Sequence, residues 1–219
     1  MMIKMLNKYL FFLFLPIIFY GQEKDFQQWT SLEINFPKVY KTDISFASSL
    51  RLEDDAAKIS KYFFDLNFKR EIQKFYKYSI GWRYIYDKNK DLDIIFKNRY
   101  YIDFYLKKDI SKRIKFNSRT RIQSQIFNNS QQEKIIKNKL RQKFKFTYIN
   151  SAINLDPFIS GEIFYLINGG FQKFRIQSGF QYPFGNKIDL EISFLIEKRW
   201  DKPINTLWYV NKLKISYKF

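Results

Sequence analysis

Residues 76–86 read Tyr-Lys-Tyr-Ser-Ile-Gly-Trp-Arg-Tyr-Ile-Tyr. Tyr76, Tyr78, Ile80, Trp82, Tyr84 and Tyr86 share one phase, with Lys77, Ser79, Gly81 and Arg83 on the other. A repeat of two is the spacing of a β-strand, which sends successive side chains to opposite faces. The same alternation continues in both directions. Upstream, Tyr62, Phe64, Leu66 and Phe68 oppose Asp65, Asn67, Lys69 and Glu71, and Ile44, Phe46, Leu50 and Leu52 oppose Asp43, Ser45, Arg51 and Glu53. Downstream, Ile102, Phe104, Ile122 and Ile126 oppose Arg119, Arg121 and Gln123, and Phe144, Phe146 and Tyr148 oppose Arg141, Lys143 and Lys145. Helical periodicity is nearly absent after residue 22, so the chain reads as all-β.

Composition narrows the class. The 219 residues contain 25 Phe, 16 Tyr and 4 Trp, with 27% charged residues and only 7 Gly and 5 Pro. A mean hydropathy of -0.41 excludes a bundle of membrane helices, and so many large apolar side chains argue against disorder. Cys and His are both 0. That removes disulfides, thiolate nucleophiles, imidazole bases and the commonest zinc ligands, and with them most hydrolase relays. The formal charge of +18 suggests an anionic partner. Composition offers a second cause, since the chain is rich in Lys, Asn, Ile, Tyr and Phe, the residues an AT-rich genome supplies by default, and only ten of its 39 basic residues are Arg.

The first residues have the anatomy of a secretory signal. Lys4 and Lys8 precede an apolar run over 9–20, interrupted only by Pro16, and Gly21 leads into Gln22-Glu23-Lys24-Asp25. The expectation is a signal peptide over 1–21, cleaved so that the exported domain spans 22–219.

About eleven alternating runs follow, longer than the five or six residues common in globular sheets and suited to crossing a membrane as tilted strands. Pro37-Lys38, Lys107-Lys108-Asp109 and 183–186 read as short joints, while 127–134 and 200–206 read as longer loops. Short turns at one end and long loops at the other characterise outer-membrane barrels. Bacterial single-chain barrels close with an even number of strands. The expectation is therefore a single antiparallel transmembrane β-barrel of ten or twelve strands, twelve favoured. The rival fold is a soluble, periplasmic β-barrel or sandwich that turns its apolar face inward and binds a small ligand.

The polar phase collects the ionised residues. Arg51, Arg83, Arg99, Arg119, Arg121, Arg141, Arg175 and Arg199 lie on it, as do Asp103, Glu162 and Glu191. In a membrane barrel this face lines the lumen, so these residues are expected to form a lumen-lining charge network. Arg99, Arg119, Arg121 and Arg141 should form a ladder with Glu162 and Asp103.

At this point a resemblance is apparent. The chain resembles an uncharacterised family of outer-membrane β-barrels from Bacteroidetes-type bacteria, domain of unknown function 2490. It is carried by Trp29, Arg51, Gly81-Trp82-Arg83-Tyr84, Asn98-Arg99-Tyr100, Arg119-Thr120-Arg121, Leu140-Arg141, 157–164 with Glu162, and 175–179. The resemblance implies a Gram-negative outer-membrane location and a barrel fold, and it offers no activity. The ending Tyr217-Lys218-Phe219 also resembles the C-terminal aromatic signal read by the barrel assembly machinery.

The functional expectation is an outer-membrane barrel of unassigned role, in contact with outer-membrane lipid, with a charge-filled lumen and neither cofactor nor metal. An alternative is a small pore preferring an anionic solute, because cationic linings select anions. Asp189 and Glu191 stand at the i,i+2 spacing of a carboxylate pair, but salt bridges to the inward cations explain them more simply than catalysis. Nucleic acid is not expected, because strict alternation separates the Lys side chains from the rings.

Overall fold

The computed structural model describes residues 24–88, 94–128, 133–200 and 206–219. The expected signal segment over 1–21 lies outside them. Eleven strands follow one another: β1 (Lys24–Asn35), β2 (Thr42–Glu53), β3 (Lys58–Gln73), β4 (Tyr76–Lys88), β5 (Ile94–Asp109), β6 (Ile114–Asn128), β7 (Lys134–Tyr148), β8 (Asp156–Leu166), β9 (Gly170–Phe184), β10 (Ile188–Arg199) and β11 (Thr206–Lys218). Each pairs antiparallel with its neighbour, and β11 returns to β1 to close a barrel.

The closure corrects the expected parity. Among the described residues the count is eleven, not ten or twelve, because β1 and β11 run in the same direction and pair in parallel from Lys24↔Leu207 to Asn35↔Lys218. A parallel ladder satisfies the backbone groups of both edges, so an odd meander can close without a missing strand. Inside this seam Lys214 Nζ donates to Glu33 Oε1 at 3.0 Å. Nearby, Trp29, Leu195 and Val210 form a small buried apolar cluster with Trp208 against it.

Two further expectations are revised. Residues 107–109 belong to β5, and the joint is 110–113. Joint length does not separate the two ends: joints run from two to seven residues at the end bearing Lys218 and from three to six at the other. The strands themselves absorb the sequence that longer loops would have used.

Facing follows the alternation. Asp103 is 0% exposed and its neighbour Phe104 is 51% exposed. The exterior carries Phe64, Ile80, Trp82, Ile102, Ile122, Phe146 and Ile192, whereas Ser79, Asp65, Gln123, Arg141, Glu162, Gln177 and Glu197 are buried. This reverses the arrangement of a soluble domain, whose buried interior is mainly apolar. Rings pair on the outside at both ends, Tyr62 with Tyr86 at 4.5 Å and Phe36 with Phe219 at 5.9 Å.

Candidate functional site

Cross-strand register decides which inward charges meet. Asp103 of β5 lies opposite Arg121 of β6, and the two form a two-pronged pair, Nε to Oδ1 at 2.6 Å and an Nη to Oδ2 at 2.7 Å. Tyr105 adds a hydrogen bond to Asp103 at 2.8 Å. Such forked pairs are the strongest ionic contacts side chains make. Glu162 of β8 accepts from both Arg119 and Arg141 at 2.7 Å, with Arg175 at 3.7 Å. Arg175 also donates to Glu197, which Lys173 reaches at 3.0 Å and Arg199 at 3.9 Å. Glu191 is held by Lys145 and Lys212, each at 3.4 Å, and by Gln181 at 2.9 Å. Asp189 pairs separately with Lys218 at 2.5 Å. Both members of the carboxylate pair on β10 are thus engaged by cations.

Of the residues named from the sequence, Asp103, Arg119, Arg121, Arg141, Glu162, Arg175 and Arg199 fall into two connected groups, while Glu191 forms a third with lysines. Arg83 pairs with Asp65. Two do not join carboxylates, Arg99 of the expected ladder and Arg51 of the wider network. Arg99 donates to its cross-strand partner Gln125 at 2.5 and 3.1 Å. Arg51 lies over the Trp29 ring at 3.8 Å. Tyr217 and Phe219, the expected assembly signal, make an edge-to-face contact at 5.1 Å on the exterior.

Aromatic residues on the polar phase were not singled out for the site. Trp29, Phe63, Tyr101 and Phe164 are all buried inside. They alternate with guanidiniums around the wall: Arg83 and Arg51 flank Phe63 at 4.2 and 5.2 Å, Arg51 and Arg175 flank Trp29 at 3.8 and 5.0 Å, and Arg175 and Arg141 flank Phe164 at 4.6 and 4.5 Å. Arg121 covers Tyr101 at 3.7 Å. A ring face attracts a cation most strongly where water is excluded. The readable signal was a ring out of phase with its neighbours, as Phe63 is beside Phe64 and Tyr101 beside Tyr100. Gly81 makes room for one of them, since a Cβ there would fall within the ring of Tyr101, whose hydroxyl donates to Asp65 at 2.5 Å.

This girdle borders a cavity of about 420 Å³. Among the described residues, thirteen Lys and Arg side chains line it against three carboxylates, Glu33, Asp65 and Glu162. Arg119 Nε and Gln172 Oε1 are buried without a hydrogen-bond partner. The chemistry on offer is donation of hydrogen bonds and positive charge.

The family model for a protein of unknown function, DUF2490, matches residues 26–206. The chain belongs to this family. No curated protein matches it. Among solved structures this DUF2490 chain is similar to the β domain of the Bordetella autotransporter BrkA, with a TM-score of 0.50 and 7% identity over 79% of this chain and 82% of that chain. At that identity the likeness is one of fold. The match covers Arg51, Arg83, Arg99, Arg119, Arg121, Arg141 and Arg175 together with the rings between them.

Proposed function

We propose that this DUF2490 chain is an outer-membrane β-barrel closed by its own side chains, with a structural role and no catalytic one. The reading rests on one observation, the reversal of polarity between faces: carboxylates and guanidiniums inside, Phe, Ile, Leu and Trp outside. An exterior of that kind is favourable against lipid and unfavourable against water. Strands of eleven to sixteen residues match or exceed the roughly nine to eleven that cross the hydrocarbon, and rings at both ends suit the two interfaces. The fold likeness to an autotransporter β domain agrees with this location. Export would use the segment over 1–21, and insertion would use the barrel assembly machinery.

Closure is supported by the interior pairs. Eleven strands lie between the barrels of about eight, filled by side chains, and those of about sixteen that hold aqueous channels. Here Asp103, Glu162 and Glu197 tie cations across the strands. The cationic lining of the cavity favours a second reading, a narrow pore that prefers anions. Single-channel recording in planar bilayers separates them. The closed barrel should leave the bilayer silent after confirmed insertion, and steady anion-selective current from the parent would establish the pore.

A further inference from the structure

The cations around the cavity are not all matched. Asp65 is shared by Arg83 and Tyr101, Glu162 by Arg119, Arg141 and Arg175, and Glu33 is taken by Lys214. The lining cations Arg121, Lys173 and Lys212 are paired with Asp103, Glu197 and Glu191, which stand behind the cavity's lining. Among the described residues, four lining cations, Arg51, Lys69, Arg99 and Lys143, have no carboxylate within ion-pair distance. Their partners are neutral: Trp29 for Arg51, the Tyr105 ring at 5.2 Å for Lys69, Gln125 for Arg99, and Gln177 at 3.3 Å for Lys143.

Position sharpens the imbalance. Arg51 experiences the charges of Arg175, Arg83 and Arg141 against one carboxylate, Glu197, and Arg99 those of Arg83, Arg141, Arg121 and Arg51. Like charges in a poorly solvated interior repel strongly, and an interposed anion converts that repulsion into attraction. The rings matter here as well. A guanidinium whose face rests on an aromatic ring keeps its edge for donation, and that edge matches the paired oxygens of a carboxylate or phosphate. The volume lies within the ~300–1,000 Å³ typical of small-molecule sites.

We infer that the barrel interior is a binding site for a small, multiply charged oxyanion, held by Arg51 and Arg99 with Lys143 as a further donor. This site is independent of whether the barrel conducts. A closed barrel would carry the anion as a structural ligand, and a conducting one would be blocked by it.

Thermal unfolding of the purified protein in nonionic detergent tests the site, with inorganic pyrophosphate as probe, citrate as a carboxylate probe and sodium chloride at matched ionic strength. Saturable stabilisation by pyrophosphate, about 4 °C or more at ligand well above its dissociation constant, is expected, with little effect of chloride. Response to pyrophosphate alone assigns phosphoryl chemistry. Response to citrate alone, or to both, assigns the site to oxyanions with carboxylates included. Arg51→Gln and Arg99→Gln should each weaken the apparent affinity at least tenfold, yet melt no lower than the parent without ligand, since each removes a repelling charge. Lys58→Gln, at the exposed start of β3, should respond like the parent. No stabilisation of the parent by either probe beyond chloride, or a response unchanged in both Arg variants, would overturn the proposal.

Discussion

Arg121 illustrates what a single inward charge does. It caps Tyr101 with its face and grips Asp103 with its edge, and Asp103 is wholly shielded from solvent. Arg121→Ala would leave that carboxylate buried with only the Tyr105 hydroxyl. Loss of about 3–5 kcal/mol is expected, the usual cost of stranding one member of a buried pair, measured by urea unfolding of the detergent-solubilised protein. Replacing both partners with Leu should recover much of the loss, because neither charge then remains to be solvated. The inward placement of Arg121 was legible in the sequence, since a period of two leaves a residue only two faces. Its partner was not. Asp103 and Arg121 are 18 positions apart, and their meeting depends on a register that alternation alone does not state. The same ignorance of register explains Arg99, expected beside a carboxylate and found beside Gln125.

At the scale of an element, the joint between β2 and β3 is instructive. Asp54, Asp55 and Ala56 all have positive φ, at 57°, 55° and 63°. Asp tolerates this region through its short polar side chain, but Ala has no such compensation. The joint is held by Asp54 N–H donating to Asp25 Oδ1 at 2.9 Å, by Ala56 N–H donating to the Phe26 carbonyl at 3.1 Å, and by Lys58 reaching the Asp54 carboxylate at 2.6 Å. The Lys58 ammonium holds that exposed carboxyl below its usual range. Ala56→Gly should raise stability by about 1 kcal/mol, as relief of left-handed strain outweighs the added freedom of the unfolded chain, read as a higher midpoint in urea. Turn chemistry of this kind is poorly legible. With so few Gly, left-handed positions fall to Asp, Asn, Ala and even Tyr40 and Lys41, so joints such as 110–113 lack their usual punctuation.

For the whole molecule, the distribution of polarity is the main fact. Phe104 lies outside on β5, half exposed, one residue from a fully buried carboxylate. Phe104→Arg should cost about 2–4 kcal/mol if its position is near the bilayer midplane, seen as loss of the folded, fast-migrating band in unheated gels of vesicle-inserted protein. Free acceptance of Arg at Phe104, Phe64 and Phe146 alike would show that this face does not meet lipid. The fold class was legible because eleven long alternating runs leave few other ways to satisfy their backbones. Closure was not, because alternation does not state which edges meet, and here β1 and β11 settle the parity by pairing in parallel.

That parallel seam sets the sidedness of the chain. Ten antiparallel strands can be drawn as five hairpins, each entering and leaving a bilayer from one compartment. The eleventh has no such partner, so Lys24 and Lys218 occupy opposite rims. In a membrane, a peptide joined ahead of Lys24 would therefore be displayed in one compartment and a peptide joined after Phe219 in the other. The first and last strands thus lie side by side while the chain ends they carry point to opposite rims.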